Sequence, residues 1–158
     1  MKLAENTQII QRKTTTPRVP KPEERKWYFL DLENKIPGRA VAGEITDLLR
    51  GKREKYFLAN FDLGNYVVLV NASKTKFTGN KLNNEYYYNH SGYPGKPRKR
   101  STKEMQEKYP IELIRRIVWG MMPKNKLSRK QMTRLFIFPD EKHDKQAQEK
   151  NFINIDIA

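Results

Sequence analysis

Tyr66-Val67-Val68-Leu69-Val70 is the stretch that decides the fold: a run of strand length, apolar on both faces. An antiparallel strand with one wet side alternates apolar and polar residues. A run without that alternation belongs in a central parallel strand with helices over both sides. Upstream, Trp27-Tyr28-Phe29-Leu30-Asp31-Leu32 is a second, nearly continuous aromatic and aliphatic run. The turn Asn34-Lys35-Ile36-Pro37-Gly38 follows, and then Val41, Ile45, Leu48 and Leu49 recur at helical spacing until Gly51 stops them. Strand, short loop and helix begin a βα unit.

Downstream, Tyr86-Tyr87-Tyr88 reads as part of a third strand. Ser101-Thr102-Lys103-Glu104 is a capping box that starts a helix near Met105. Pro110 suits the first turn of the next helix, in which Ile114, Ile117, Val118 and Met121 share one stripe until Gly120 to Pro123 ends the run. Ser128-Arg129-Lys130-Gln131 is a second capping box, and Leu135-Phe136-Ile137-Phe138 closes the core as a last strand. Strands interleaved with helices predict an α/β fold, a three-layer α/β/α sandwich around a mainly parallel four-stranded sheet, with basic loops and extended tails. The expected divisions are an N-terminal arm over 1–26, an α/β domain over 27–139 and a C-terminal tail over 140–158. Pro17, Pro20 and Pro22 keep the arm extended. The tail is polar with a small apolar end at Phe152, Ile153, Ile155 and Ile157.

The 158 residues fit one domain better than two. Lys and Arg number 32 against 18 Asp and Glu, a formal net charge of +14. A free globule with that charge repels itself, which implies a polyanionic partner. The charge is also segregated. From Leu63 through Lys103 the only carboxylate is Glu85, against Lys74, Lys76, Lys81, Lys96, Arg98, Lys99, Arg100 and Lys103. From Leu113 through Pro139 there is none, against Arg115, Arg116, Lys124, Lys126, Arg129, Lys130 and Arg134. Solvated surfaces normally mix signs, so two long acid-free stretches point to a phosphate surface.

The most basic piece, Gly95-Lys96-Pro97-Arg98-Lys99-Arg100, follows His90-Ser91-Gly92-Tyr93-Pro94. Its Gly and Pro content predicts little regular structure and a loop able to follow a nucleic-acid backbone. Arg forks would grip phosphates, while Tyr87, Tyr88 or Tyr93 could stack on an unpaired base. About half of the tyrosines should be buried, because alternate residues of a strand face the core. No helix-turn-helix, zinc finger or basic zipper is present to enter a major groove, which favours RNA.

Other function classes have little support. There is no cysteine, and His90 and His143 are the two histidines, too few for a zinc site. Neither Gly-x-x-x-x-Gly-Lys-Ser/Thr nor Gly-x-Gly-x-x-Gly occurs. Gly38-Arg39 sits where an α/β fold would bind an anion, after a strand and at a helix N-terminus. That anion could be a nucleotide or an RNA phosphate. Asp31 and Asp62 are candidate metal ligands or an acid/base pair, without a visible third partner. No 18-residue apolar run or signal-peptide pattern is present. The expectation is a non-enzymatic, cytoplasmic RNA-binding protein, with no cofactor, metal, membrane or small-molecule substrate, and not a homo-oligomer. The alternative is a free-standing RNA-binding regulator or assembly factor.

At these residues the chain resembles a known family. Trp27-Tyr28 with Asp31, Gly38-Arg39-Ala40, Leu49-Arg50-Gly51-Lys52, Gly64-Asn65-Tyr66-Val67-Val68 running to Asn71-Ala72, Thr78-Gly79-Asn80-Lys81, Tyr87 through Gly95, and Gly120-Met121-Met122-Pro123-Lys124-Asn125 with Leu127 and Arg129 stand in order. Together they resemble the bacterial form of large-subunit ribosomal protein thirteen, from about Lys13 to Ile155. The resemblance implies a four-stranded parallel sheet between helices, large-subunit rRNA and neighbouring ribosomal proteins as partners, and a role in early subunit assembly. It implies RNA contacts at Gly38, Arg39, Lys52, Thr78, Asn80, Lys81, His90, Ser91, Gly92, Lys124 and Arg129. The charge pattern adds Lys96, Arg98, Lys99, Arg100, Lys126 and Lys130.

Four departures stand out. Ile36-Pro37-Gly38-Arg39 replaces the family's Leu-Gly-Arg and stiffens that turn. Gly64-Asn65-Tyr66 replaces Gly-Asp-Tyr and should remove a carboxylate from the partner-facing side. His143-Asp144-Lys145 stands for a His-x-His. Trp119 occupies a position usually small or basic, where it covers a neighbour or pads the helix.

Overall fold

The computed structural model of the chain describes residues 18–55 and 57–155, with Arg39 and Ala40 described by their backbone alone. The part of the expected arm over 1–17, Ile157 of the apolar end and the Arg39 side chain lie outside the described residues. The order is β1 (Trp27–Asp31), α1 (Arg39–Arg50), β2 (Tyr66–Val70), α2 (Lys81–Asn84), β3 (Tyr86–Asn89), β4 (Arg98–Ser101), α3 (Thr102–Lys108), α4 (Pro110–Met121), α5 (Lys126–Met132), β5 (Leu135–Ile137) and β6 (Phe152–Asn154). The main sheet has the spatial order β5-β2-β1-β6, and its pairings are parallel.

Central β2 behaves as its composition requires: Val67 through Val70 are buried on both faces. Its register with β1 sets Trp27 beside Tyr66 and Leu30 beside Leu69. One sheet face carries Leu30, Val67, Leu69, Leu135 and Ile137 into a cluster with Val41, Ile45, Leu48 and Leu49 of α1 and Ile114 and Val118 of α4. The α1 stripe read from spacing is therefore buried, whereas on α4 Ile114 and Val118 are buried, Ile117 packs partly buried against the cluster and Met121 is 41% exposed. The opposite face is aromatic. Trp27 stacks on Tyr66 at 4.3 Å, and His143 lies 5.9 Å from both Phe29 and Phe152. This second outer layer is thin, carried by the segment between β5 and β6, whose Lys145 ammonium lies 4.6 Å over the Phe136 ring.

Two glycines hold α1 to the loop that feeds β2. Gly51 ends the helix at φ +75°, and a Cβ there would stand 2.5 Å from the Leu63 carbonyl oxygen. A Cβ on Gly64 would stand 1.7 Å from the Leu49 carbonyl oxygen. At both points backbone meets backbone, with no room for a methyl group.

Three local readings change. Tyr86–Asn89 is not a strand of the main sheet; it pairs antiparallel with Arg98–Ser101 in a separate hairpin, so the basic stretch is partly a strand rather than irregular loop. The fourth parallel strand is instead Phe152–Asn154, at the edge beside β1. Ser128 does not open α5. The Asn125 side-chain oxygen accepts the Ser128 N–H at 2.7 Å, and the helix begins at Lys126 with Ser128 buried inside its first turn. The Ser101 cap stands: its hydroxyl accepts the Glu104 N–H at 3.2 Å, while the Glu104 carboxylate faces Lys108 at 3.8 Å.

Candidate nucleic-acid interface

The hairpin β3–β4 is seated on α2 and α3 through β4 and on α4 through side chains. Directly opposite residues of an antiparallel pair share a face, and the pairs Tyr86–Ser101, Tyr87–Arg100, Tyr88–Lys99 and Asn89–Arg98 alternate between two faces. The inner face meets α4 and the turn before it. Arg116 donates to the Asn89 side-chain oxygen and lies 5.8 Å over the Tyr87 ring. Arg100 lies 4.4 Å over the Tyr109 ring and 3.8 Å from the Glu112 carboxylate. Burial raises the Tyr87 phenol above the usual tyrosine range, reinforced by the Glu85 carboxylate and opposed by Arg116. The outer face is left to solvent: Tyr86 is 41% and Tyr88 59% exposed, with the Lys99 ammonium 3.6 Å above the Tyr86 ring. No tyrosine of β3 is fully buried; Tyr87 is the half-buried member.

The connecting loop is exposed throughout. His90 Nδ1 accepts the Gly92 N–H at 3.0 Å, and the Ser91 hydroxyl accepts the Tyr93 N–H at 3.4 Å, which turns the chain through Gly92 at φ +89°. Lys96 and Arg98 form no ion pair among the described residues. Thr78, Asn80 and Lys81 are exposed at the start of α2, where Asn83 donates to the Asn80 side-chain oxygen at 3.0 Å. This short helix lies against α3 and β4, at the root of the hairpin.

On the other flank of α4, Lys126, Arg129 and Lys130 are exposed on α5. Arg129 lines a cleft of about 400 Å3 with Glu112, Arg115, Arg116, Trp119 and Met132. Arg116 thus touches the hairpin on one side and the cleft on the other, joining the two acid-free stretches across one helix. Lys124 turns back on α4: its ammonium lies 4.3 Å over the Trp119 ring and donates to the Trp119 carbonyl. Trp119 itself packs against the core, so it covers a neighbour and pads the helix at once. Gly38 caps α1 just beyond the carboxyl end of β1, and a Cβ there would meet only Ile36 at 3.5 Å. Lys52 lies past the far end of α1, about 21 Å of helical rise from Gly38, and pairs with Asp47 at 3.3 Å. The structure does not bring Gly38 and Lys52 together.

Some of the positive charge is spent internally. Arg134 is buried and makes two hydrogen bonds to the Asp62 carboxylate at 2.9 and 2.5 Å, and buried Arg25 reaches the same carboxylate at 3.5 Å. Burial, with Arg134 beside it, lowers the Arg25 pKa despite Asp62. Arg116 is held by Glu112 at 2.6 Å and Lys74 by Glu33 at 3.3 Å. Among the described residues, the exposed cations outside any ion pair include Lys96, Arg98 and Lys99 on the hairpin and Lys126, Arg129 and Lys130 on α5, together with Lys76, Lys103, Arg115, Lys142 and Lys150 elsewhere.

The ribosomal protein L13 family model matches residues 25–144. The chain belongs to that family. It is 42% identical to the large ribosomal subunit protein uL13 of Geobacter sulfurreducens over 142 residues, covering 89% of this chain and 99% of that one. It is 43% identical to uL13 of Ureaplasma urealyticum over 133 residues, 84% of this chain and 89% of that one. A third relative, uL13 of Agathobacter rectalis, is 43% identical over 132 residues, 82% and 92% of the two chains. An L13 family protein is structural rather than catalytic.

Two further departures from the L13 pattern, at Asn65 and His143, have physical accounts. Asn65 is 5% exposed and does not face a partner. Its side chain accepts the Lys26 N–H at 3.1 Å and donates to Glu54 at 2.9 Å, a donation that an aspartate could not make. Glu54 in turn raises the Lys26 pKa through their hydrogen bond. The His143 ring is spent on the aromatic layer, with Nε2 3.5 Å from Glu149. Asp31 accepts from Asn71 at 2.8 Å and from the Glu33 N–H at 2.9 Å, while Asp62 holds its two arginines. The two carboxylates are thereby committed to separate internal contacts, and no group of three or more His, Asp or Glu among the described residues could hold a metal. No helix among the described residues is long and apolar enough to cross a membrane.

Proposed function

We propose that this L13 family chain is a structural constituent of the large ribosomal subunit, held there by large-subunit rRNA and flanked by other large-subunit proteins, and that it enters early in assembly. The observation that carries the reading is the meeting of both acid-free stretches on α4, with Arg116 touching the hairpin and the cleft beside α5. Phosphate contacts are assigned to Lys81 on α2, to Lys96, Arg98 and Lys99 on the hairpin, and to Lys126, Arg129 and Lys130 on α5. The turns at Thr78–Asn80 and His90–Gly92, and the backbone at Gly38 and Arg39, lie close enough to the surface to approach a phosphate. Arg100 supports rather than touches, because its side chain is 13% exposed between Glu112 and Tyr109, whereas Lys52 and Lys124 are exposed and can exchange a surface contact for a phosphate. Each cation that displaces a condensed counterion steepens the salt dependence of binding.

The test is reconstitution. The chain should bind large-subunit rRNA with strong salt dependence and appear once per purified subunit. Subunits assembled without it should stall as early intermediates. Recovery of the protein only in the free soluble fraction at low salt would refute the reading.

A further inference from the structure

We propose that the outer face of the hairpin β3–β4 is a stacking platform for unpaired nucleotides of RNA, with Tyr88 as its main ring and Tyr86 as its second. The inference rests on the RNA-binding reading and adds the kind of RNA and the residues that read it. The two faces of the hairpin have opposite fates. The inner face is fixed to α4 through Arg116 on Asn89 and Tyr87 and through Arg100 on Tyr109 and Glu112. A two-stranded ribbon alone is marginal in water, so those contacts hold the outer face in place before any ligand arrives. They also remove Tyr87 from recognition, because its ring is half-buried on the α4 side of the hairpin.

The outer face presents Tyr86 and Tyr88 two residues apart, about 6.8 Å along the strand, which separates their rings by enough for each to meet its own base. The residue directly opposite Tyr88 is Lys99, which places a cation beside the ring where a nucleotide's phosphate would lie. The Lys99 ammonium stands 3.6 Å over the Tyr86 ring, so that ring opens to a base once Lys99 turns to a phosphate, whereas Arg98 pairs with Asn89 on the inner face. Glu85, just before β3, is the single carboxylate between Leu63 and Lys103. No aliphatic side chain shares this face, which argues against a protein interface, where a contiguous apolar centre is expected. Rings flanked by cations suit single-stranded nucleic acid, since any base offers a π face once it leaves a duplex stack.

The test uses the full chain, a single-stranded RNA oligonucleotide and a hairpin-free RNA duplex of equal charge, with fluorescence anisotropy across a salt series. Tyr88→Leu is expected to weaken single-strand binding by roughly 5- to 100-fold, with the salt slope unchanged and duplex affinity altered less than about twofold. Tyr88→Phe, which keeps the ring, should bind like the wild type. Unchanged melting temperature in both variants separates recognition from folding. Wild-type affinity of Tyr88→Leu for the single strand overturns the platform while leaving the RNA-binding reading intact. Equal losses on duplex and single strand also overturn it. Normal RNA binding by Tyr88→Leu, with loss of one neighbouring protein from reconstituted subunits, reassigns the face to a protein contact. Absence of any salt-sensitive RNA binding by the wild type removes the parent reading itself.

Discussion

Replacing Arg98 and Lys99 together by glutamine should lower the salt dependence of rRNA binding, whereas replacing Arg100 by glutamine should lower stability instead. The three residues are consecutive in one basic run, but the hairpin separates their roles. Arg98 and Lys99 are exposed, while the Arg100 side chain is 13% exposed, 3.8 Å from Glu112 and 4.4 Å over Tyr109. Each phosphate contact contributes a slope of about 0.7 to 0.9 in log K against log salt, so losing two removes about 1.4 to 1.8. At about 0.15 M salt, counterion release alone then predicts roughly 15- to 30-fold weaker binding. Arg100→Gln loses a partly screened ion pair and a cation–π contact, about 1 kcal/mol together, or roughly 2–4 °C in melting temperature. Filter binding between about 50 and 300 mM salt reads the first effect, in the range where the slope is linear, and thermal unfolding reads the second. An unchanged slope for Arg98→Gln/Lys99→Gln would refute the assignment of those cations to phosphates. A full loss of slope in Arg100→Gln at unchanged melting temperature would refute the division of roles.

Other outcomes follow from the buried contacts. Asp62→Asn leaves two buried guanidiniums, Arg25 and Arg134, without their carboxylate, and urea unfolding should show a loss of about 3–5 kcal/mol. Asn65→Asp, which restores the residue usual at that position in the family, sets a carboxylate against Glu54 in place of an N–H donor. It should cost about 1–2 kcal/mol at neutral pH, with part of the loss recovered on acidification as one carboxyl group takes up a proton; equal stability at both pH values would contradict the contact. The Tyr87 phenol has its folded pKa raised above the ordinary tyrosine value, chiefly by burial. The stabilisation linked to this raised pKa is complete below the unfolded value and is lost as pH rises through the folded one. Spectrophotometric titration of wild type against Tyr87→Phe should isolate a phenol ionising later than a free tyrosine.

How far sequence alone carries the structure depends on where each signal resides. β1, β2 and α1 were legible because their information is local: runs without a polar face, and a stripe at helical spacing ended by Gly51. Phe152–Asn154 escaped because three residues at a sheet edge have no periodicity to detect. Tyr86–Tyr88 was readable as a strand but not as part of which sheet. Its partner Arg98–Ser101 is charged and lacks any β-forming pattern, so no local signal in the sequence marks the pairing. At α5, Asn125 and Ser128 are both good caps, and the structure uses the earlier one.

The same distinction governs the site. Charge segregation along the chain pointed to a polyanion-binding surface but could not separate outward cations from committed ones, because the committing carboxylates are remote or shared. Asp62 lies 72 residues from Arg134, and Glu112 serves both Arg100 and Arg116. Those internal pairs explain why the acid-free stretches can fold side by side without repelling each other apart. Arg100 and Arg116 use one carboxylate and two tyrosine rings to dock the hairpin on α4. The cations left over include Lys96, Arg98 and Lys99 on the hairpin and Lys126, Arg129 and Lys130 on α5. A polyanion meeting that surface needs to order few protein side chains beyond the exposed lysines and arginines themselves, which is the physical advantage of spending some of the positive charge on the fold.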